Sequence, residues 1–120
     1  MRIEDELVDL EKGGWRVLST SGQAAEIFYR HVLDGSPVMM LPGGLTLAGR
    51  DAIVRSMSGQ PWSFYEMGEL HVLRPTDDVG VVAYDVIANR EDMTYEALVS
   101  SHYVRRNGSW KLFFHQQTPR

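Results

Sequence analysis

Apolar residues near the start of the chain recur three or four positions apart. These positions are Ile3, Leu7, Leu10, Gly14, Val17 and Leu18. The spacing predicts an amphipathic helix with its charged residues, Glu11 among them, on the polar arc. Gly13 and Gly14 lie in the middle of this helix, where each costs about 1 kcal/mol relative to alanine. We therefore expect the pair to mark either a bend or the close approach of another backbone.

A hydroxyl-rich break at residues 19–22 offers an N-cap for a second helix. The predicted buried stripe of that helix is Ala25, Phe28, Tyr29 and Val32. A short apolar run, residues 38–41, stops at Pro42-Gly43-Gly44 and predicts a strand followed by a turn. A third, short helix is predicted over residues 50–58, where Ile53 and Met57 are four apart.

The second half of the chain is rich in β-branched and aromatic residues. The stretches of this kind are residues 62–73, 79–89, 95–106 and 110–117. Turn residues separate them, and Asn107-Gly108 is a strong hairpin signal because both residues tolerate positive φ. Helices followed by a meander of strands predict an α+β fold in one domain over residues 1–120.

Composition narrows the range of partners. The chain has twelve Lys and Arg residues and sixteen Asp and Glu residues, for a formal charge of -4. The basic residues are scattered along the sequence, which argues against nucleic-acid binding. No run approaches the roughly 18 apolar residues of a membrane span, and residues 1–9 lack the pattern of a signal peptide. With no cysteine either, we expect a cytoplasmic protein that does not contact membranes.

Several segments in their order and spacing carry a resemblance to a known family. They are residues 38–44 (VMMLPGG), residues 49–53 (GRDAI) and residues 103–116 (YVRRNGSWKLFFHQ), together with the helix pair. The chain resembles the nuclear transport factor 2-like superfamily, which includes ketosteroid isomerases, SnoaL-like polyketide cyclases, scytalone dehydratase and the association domain of calmodulin-dependent kinase. It looks most like the uncharacterised bacterial members.

The resemblance implies a cystatin-like architecture, with N-terminal helices packed on a curved, mostly antiparallel sheet. This arrangement forms a cone with a pocket, and homodimers often form through the outer face of the sheet. In ketosteroid isomerases the general base precedes a proline at the end of the first strand, where this chain has Leu41. The acid on the oxyanion side maps onto His102. Isomerase chemistry therefore does not carry across, because both groups differ.

His102 and Tyr84 are the best catalytic candidates. An imidazole exchanges a proton near neutral pH, and the mapping aims His102 into the cone. Tyr84 offers one hydrogen bond to a ligand oxygen. The plainer alternatives are a hydrogen-bonded or surface histidine and a tyrosine whose hydroxyl only reaches the domain surface.

The predicted pocket is rich in large apolar side chains. Its expected residues are Trp15, Tyr29, Met40, Met57, Trp62, Tyr84, His102 and His115. Such a lining favours a small apolar or aromatic ligand. No phosphate-binding loop and no convincing metal-ligand spacing occur, so we expect neither a cofactor nor a metal.

Three functions remain open at this point. The first is a homodimeric small-molecule-binding domain. The second is a cofactor-free acid-base enzyme of the isomerase, cyclase or dehydratase type, and the third is an assembly domain. The homodimer is predicted from the last strand, where simple alternation puts Trp110, Leu112 and Phe114 on one face and Phe113 on the other, so that both faces are apolar.

Overall fold

The computed structural model describes residues 2–120, which form three helices and seven strands. The helices are α1 (Ile3–Leu18), α2 (Gly22–Val32) and α3 (Arg50–Ser56). The strands are β1 (Leu33–Leu41), β2 (Leu45–Ala48), β3 (Phe64–Met67), β4 (His71–Thr76), β5 (Val79–Arg90), β6 (Met93–Arg106) and β7 (Ser109–Pro119). No helix within these residues is both long and apolar enough to cross a membrane.

The strands form one mostly antiparallel sheet in the order β2-β1-β7-β6-β5-β3, with β4 also paired to β5. Only β1 and β7 run parallel to each other among the described pairs. Strand β5 is long enough for β3 to pair with its second half and β4 with its first half. The predicted α+β class, with helices packed on a mostly antiparallel sheet, is confirmed.

The glycine pair of α1 makes room for side chains of α2. Helix α1 runs without interruption through Gly13 and Gly14. A Cβ on Gly14 would lie 2.7 Å from the hydroxyl oxygen of Tyr29, and one on Gly13 would lie 3.2 Å from the ring of Phe28. The close approach is therefore made by aromatic rings of α2 and not by another backbone.

Three β-segments differ from the sequence prediction, and the first is β1, which begins at Leu33 and not at residue 38. The predicted strand over residues 62–73 is two strands that run in the same direction along β5 and are interrupted at residues 68–70, where the N–H of Gly68 donates to the carbonyl of Asp85 at 2.8 Å. Strand β2 was not predicted. It forms because Gly43 and Gly44 both adopt positive φ, 82° and 75°, which lets β1 fold back as a hairpin.

A β-bulge in β7 changes which residues share a face. Leu112 and Phe114 lie opposite consecutive residues of β6, so Phe113 is the extra residue, and Phe114 faces His102. The prediction that Trp110, Leu112 and Phe114 share one face is therefore wrong. Trp110 and Leu112 point into the core, whereas Phe114 lies on the outer face with His102.

The core lies between the helices and the inner face of the sheet. All three helices contribute to it, through Leu7 and Trp15, Tyr29 and Val32, and Ile53 and Val54. Leu7 is fully buried and packs against Gly80 of β5 so closely that a Cβ at residue 80 would overlap it. This contact brings α1 directly onto the sheet.

We predict that Leu7→Ala lowers the free energy of unfolding by about 2–5 kcal/mol, because it leaves a cavity in a packed core. Ile27→Ala is the matched control. Ile27 is 65% exposed on α2, so its truncation is expected to change stability by no more than about 0.5 kcal/mol. Equilibrium unfolding in urea measures both values, and similar losses for the two variants would contradict this description of the core.

Candidate functional site

A buried carboxylate joins α1 to the sheet. Glu11 is only 5% exposed, and three hydroxyl groups donate to it. Tyr84 of β5 donates to Oε2 at 2.5 Å, Ser101 of β6 donates to the same oxygen at 2.8 Å, and Tyr103 of β6 donates to Oε1 at 2.6 Å. Hydrogen bonds of this number are what a buried charge requires.

The two tyrosines keep their protons. Burial, and to a smaller extent the charge of Glu11, raises the pKa of Tyr84 and of Tyr103 well above the ordinary value. The oxygen of Tyr84 also accepts the indole N–H of Trp15 at 2.7 Å, so its own proton is directed to Glu11. The three donors around its two oxygens match the acceptor-only character of a carboxylate.

The hydrogen-bond chain continues from Glu11 to His115. Ser101 and His115 are cross-strand neighbours, and Oγ lies 2.7 Å from Nδ1. Because the single proton of Ser101 goes to Glu11, its oxygen accepts the proton of Nδ1, and this leaves a lone pair on Nε2. Gln117 donates its amide N–H to Nε2 at 3.0 Å, and its Oε1 accepts from Tyr95 at 2.8 Å.

Burial lowers the pKa of the His115 imidazole. The charge of Glu11 acts in the opposite direction but is the smaller effect, and His102 contributes a further lowering. The imidazole is therefore neutral near pH 7, in agreement with one protonated and one unprotonated ring nitrogen.

This series of hydrogen bonds ends at a cavity of about 440 Å³ between the helices and the inner face of the sheet. The lining residues are Leu18, Tyr29, Met39, Leu41, Pro42, Leu45, Ser56, Met57, Trp62, Met93, Tyr95, His115 and Gln117. Most of the wall is apolar. His115, Gln117 and Tyr95 supply a polar edge at which hydrogen bonds to a ligand are available.

The structure brings four of the predicted pocket residues together at this cavity: Tyr29, Met57, Trp62 and His115. Trp15 and Tyr84 lie behind the wall, hydrogen-bonded to each other in the buried cluster. The ring of Trp15 stands 6.3 Å from that of Trp62, which lines the cavity, whereas Trp15 itself does not.

Met40 and His102 lie away from the cavity, in contrast to the sequence expectation. Successive residues of a strand point to opposite faces, and here Met39 takes the inward position of β1 while Met40 is 43% exposed. In the same way Ser101 points inward and His102 outward. The ring of His102 packs edge-on against Phe114 with centroids 5.2 Å apart, and burial lowers its pKa.

Sequence reasoning missed the centre of the cluster. Glu11 was assigned to the polar arc of α1, but it lies four residues after Leu7 and four before Trp15, on the buried stripe of the helix. An acidic residue at that spacing was the available signal. Ser101 and Gln117 carried no comparable signal, because short polar residues in strands are common on either face.

Other parts of the structure are less suited to a site. A depression of about 520 Å³ crosses α1, α2 and the turn between β6 and β7, and its lining mixes charges such as Asp9, Arg16 and Lys111. Glu11 and His115 do not reach it. Within residues 2–120, no group of three or more His, Asp or Glu side chains is placed to hold a metal ion.

No protein-family model matches the chain, and no curated protein matches it significantly. Solved structures do. A nuclear transport factor 2-like protein from Cytophaga hutchinsonii is 13% identical with a TM-score of 0.83, and 100% of each chain is covered.

Two further structures show the breadth of the similarity. A ketosteroid isomerase candidate from Parabacteroides distasonis is 14% identical with a TM-score of 0.81, over 99% of this chain and 89% of that one. The association domain of the calmodulin-dependent kinase II of Caenorhabditis elegans is 16% identical with a TM-score of 0.80, over 95% and 93%. The chain therefore has the nuclear transport factor 2-like fold, as its sequence resemblance predicted.

Proposed function

We propose that this protein is a homodimeric domain that binds a small, mainly apolar ligand in the cavity beside His115. The observation that supports this most directly is a cavity of about 440 Å³ with a mostly apolar lining that includes the polar groups of His115, Gln117 and Tyr95. Ligand sites in proteins combine these two features, since apolar walls supply affinity and a few polar groups fix orientation.

The shape of the wall favours a flat ligand. Trp62 and Tyr95 stack with centroids 5.6 Å apart and planes 15° from parallel, and both line the cavity. Three methionines, Met39, Met57 and Met93, also line the cavity. Methionine side chains adapt to the outline of a ligand, so the lining combines a rigid aromatic part with an adjustable one.

A cofactor-free acid-base enzyme of the isomerase, cyclase or dehydratase type is the second candidate. The hydrogen-bond chain from Glu11 through Ser101 to His115 supports it, because a carboxylate that orients a neutral imidazole is the arrangement a general base needs. In that case His115, and not His102, would be the base.

The proposed homodimer rests on the outer face of the sheet. A row of apolar or weakly polar side chains crosses five neighbouring strands there: Leu73, Val81, His102, Phe114 and Val38. The helices all bury their apolar residues on the inner face, so this row lacks a cover within the described chain. A second copy related by a two-fold axis would bury it.

An assembly role is a related alternative. One protein of similar fold is an association domain, and a paired outer face would serve such a role as well as it serves a ligand-binding dimer. The cavity separates the two functions, because an assembly domain has no need of an apolar space with a polar edge.

We predict saturable binding of the neutral fluorescent probe N-phenyl-1-naphthylamine with one site per chain. Trp62→Ala removes the flat wall and is expected to weaken binding about tenfold. Phe64→Ala is the control, since Phe64 is 48% exposed and does not line the cavity. Fluorescence titration measures the affinities. Absence of saturable binding, or equal effects of the two variants, would contradict the proposed site.

We predict that sedimentation equilibrium at micromolar concentration gives twice the 13.6 kDa chain mass. Leu73→Glu places a charge in the proposed interface and is expected to weaken the dimer at least about tenfold. Ile27→Glu adds the same charge at a similarly exposed apolar site on α2 and leaves the dimer intact. A wild-type mass of one chain without concentration dependence would exclude this dimer.

A further inference from the structure

The buried series of hydrogen bonds from Glu11 to His115 makes one atom at the cavity, Nε2 of His115, a hydrogen-bond acceptor. Glu11 accepts from Ser101 at 2.8 Å, and Ser101 lies 2.7 Å from Nδ1 of His115, so the ring proton is held on the side away from Gln117. Nε2 therefore presents a lone pair to the polar edge. In the described structure the amide of Gln117 occupies that lone pair at 3.0 Å.

We infer that the cavity selects a neutral ligand carrying a weakly acidic hydroxyl, of the phenol or enol class, and that Nε2 of His115 accepts the hydrogen bond of that hydroxyl. The inference rests on the proposed binding function and assigns the chemical class of its ligand. His115 is then the residue that determines specificity.

A hydroxyl matches both groups at the edge. Its hydrogen points to Nε2 of His115, while its oxygen accepts the N–H that Gln117 releases from that nitrogen. Tyr95 holds the Oε1 atom of Gln117 at 2.8 Å and so keeps the amide oriented with its N–H groups toward the ligand. An ether oxygen accepts from Gln117 but has no hydrogen for Nε2 of His115, so that nitrogen keeps its bond from the other N–H of Gln117 and the ligand makes one hydrogen bond fewer than a hydroxyl does.

Charge excludes the other common oxygen ligands. The cavity lining within residues 2–120 contains no Lys or Arg; the guanidinium of Arg90 stacks on Trp62 at 4.0 Å from its ring centroid but is outside the lining. The carboxylate of Glu11 is two hydrogen bonds from Nε2 of His115, so a ligand carboxylate or phosphate at Nε2 would add a second negative charge with no Lys or Arg in the lining to balance it. A neutral hydroxyl avoids this penalty.

Ser101 acts as a positioning residue in this account. Its hydroxyl transmits the acceptor character of Glu11 to Nδ1 of His115 and so determines which ring nitrogen is protonated. Without that hydroxyl, the imidazole is free to place its proton on Nε2, where it would donate to a hydroxyl oxygen and to an ether oxygen alike.

The test compares 4-tert-butylphenol with 4-tert-butylanisole by isothermal titration calorimetry on the wild-type protein at pH 7.5. The two compounds share an apolar body and differ in the hydroxyl hydrogen. We expect the phenol to bind about tenfold more tightly. Equal affinities would overturn the inference and leave the binding function standing, whereas no binding of either compound, together with no binding of the naphthylamine probe, would count against the function itself.

Three variants test whether the preference for the phenol over the anisole depends on His115 and Ser101. His115→Phe keeps a ring of similar size without an acceptor, and the ratio of the two affinities is expected to fall to about one. Ser101→Ala is expected to give a reduced ratio with the imidazole still present. Met57→Leu, a change of similar volume in the apolar wall, alters both affinities together and leaves the ratio unchanged. A preference that survives in both His115→Phe and Ser101→Ala would contradict the assignment.

Discussion

The need to satisfy one buried carboxylate organises this domain. A charged group taken out of water is strongly unfavourable unless hydrogen bonds replace its hydration, and Glu11 obtains three from hydroxyls on β5 and β6. These bonds place α1 at one height and rotation on the sheet. The packing of Leu7 against Gly80 also joins α1 to β5, so polar and apolar contacts fix the helix in the same position on the sheet.

The same carboxylate determines the chemistry of the cavity. Through Ser101 it holds the proton of His115 on Nδ1, and burial keeps the imidazole neutral. The inner face of the sheet thus offers a small ligand an acceptor at Nε2, while the outer face offers a second copy a row of apolar side chains. One sheet serves two proposed contacts because successive residues of each strand point in opposite directions.

Much of the fold followed from the sequence, because long periodic segments determine element type. The helices, the hairpin at Asn107-Gly108 and the α+β class belong to this group. The face occupied by each residue of β7 did not follow, since the bulge at Phe113 depends on pairing with β6 and leaves no local signal. Which residues of β6 point to the inner face is likewise decided by tertiary packing. His102 was therefore expected in the pocket, but His115 lines the cavity and His102 does not.

The chemistry of the cavity depends on Glu11 and Ser101 holding His115 in one neutral tautomer. Nitrogen-15 NMR of histidine-labelled protein at pH 7.5 tests it most directly, because the two ring nitrogens have distinct shifts when one is protonated and the other is not. We expect that Nδ1 of His115 carries the proton and that Nε2 does not. An imidazole protonated on Nε2, or an imidazolium at that pH, would contradict it.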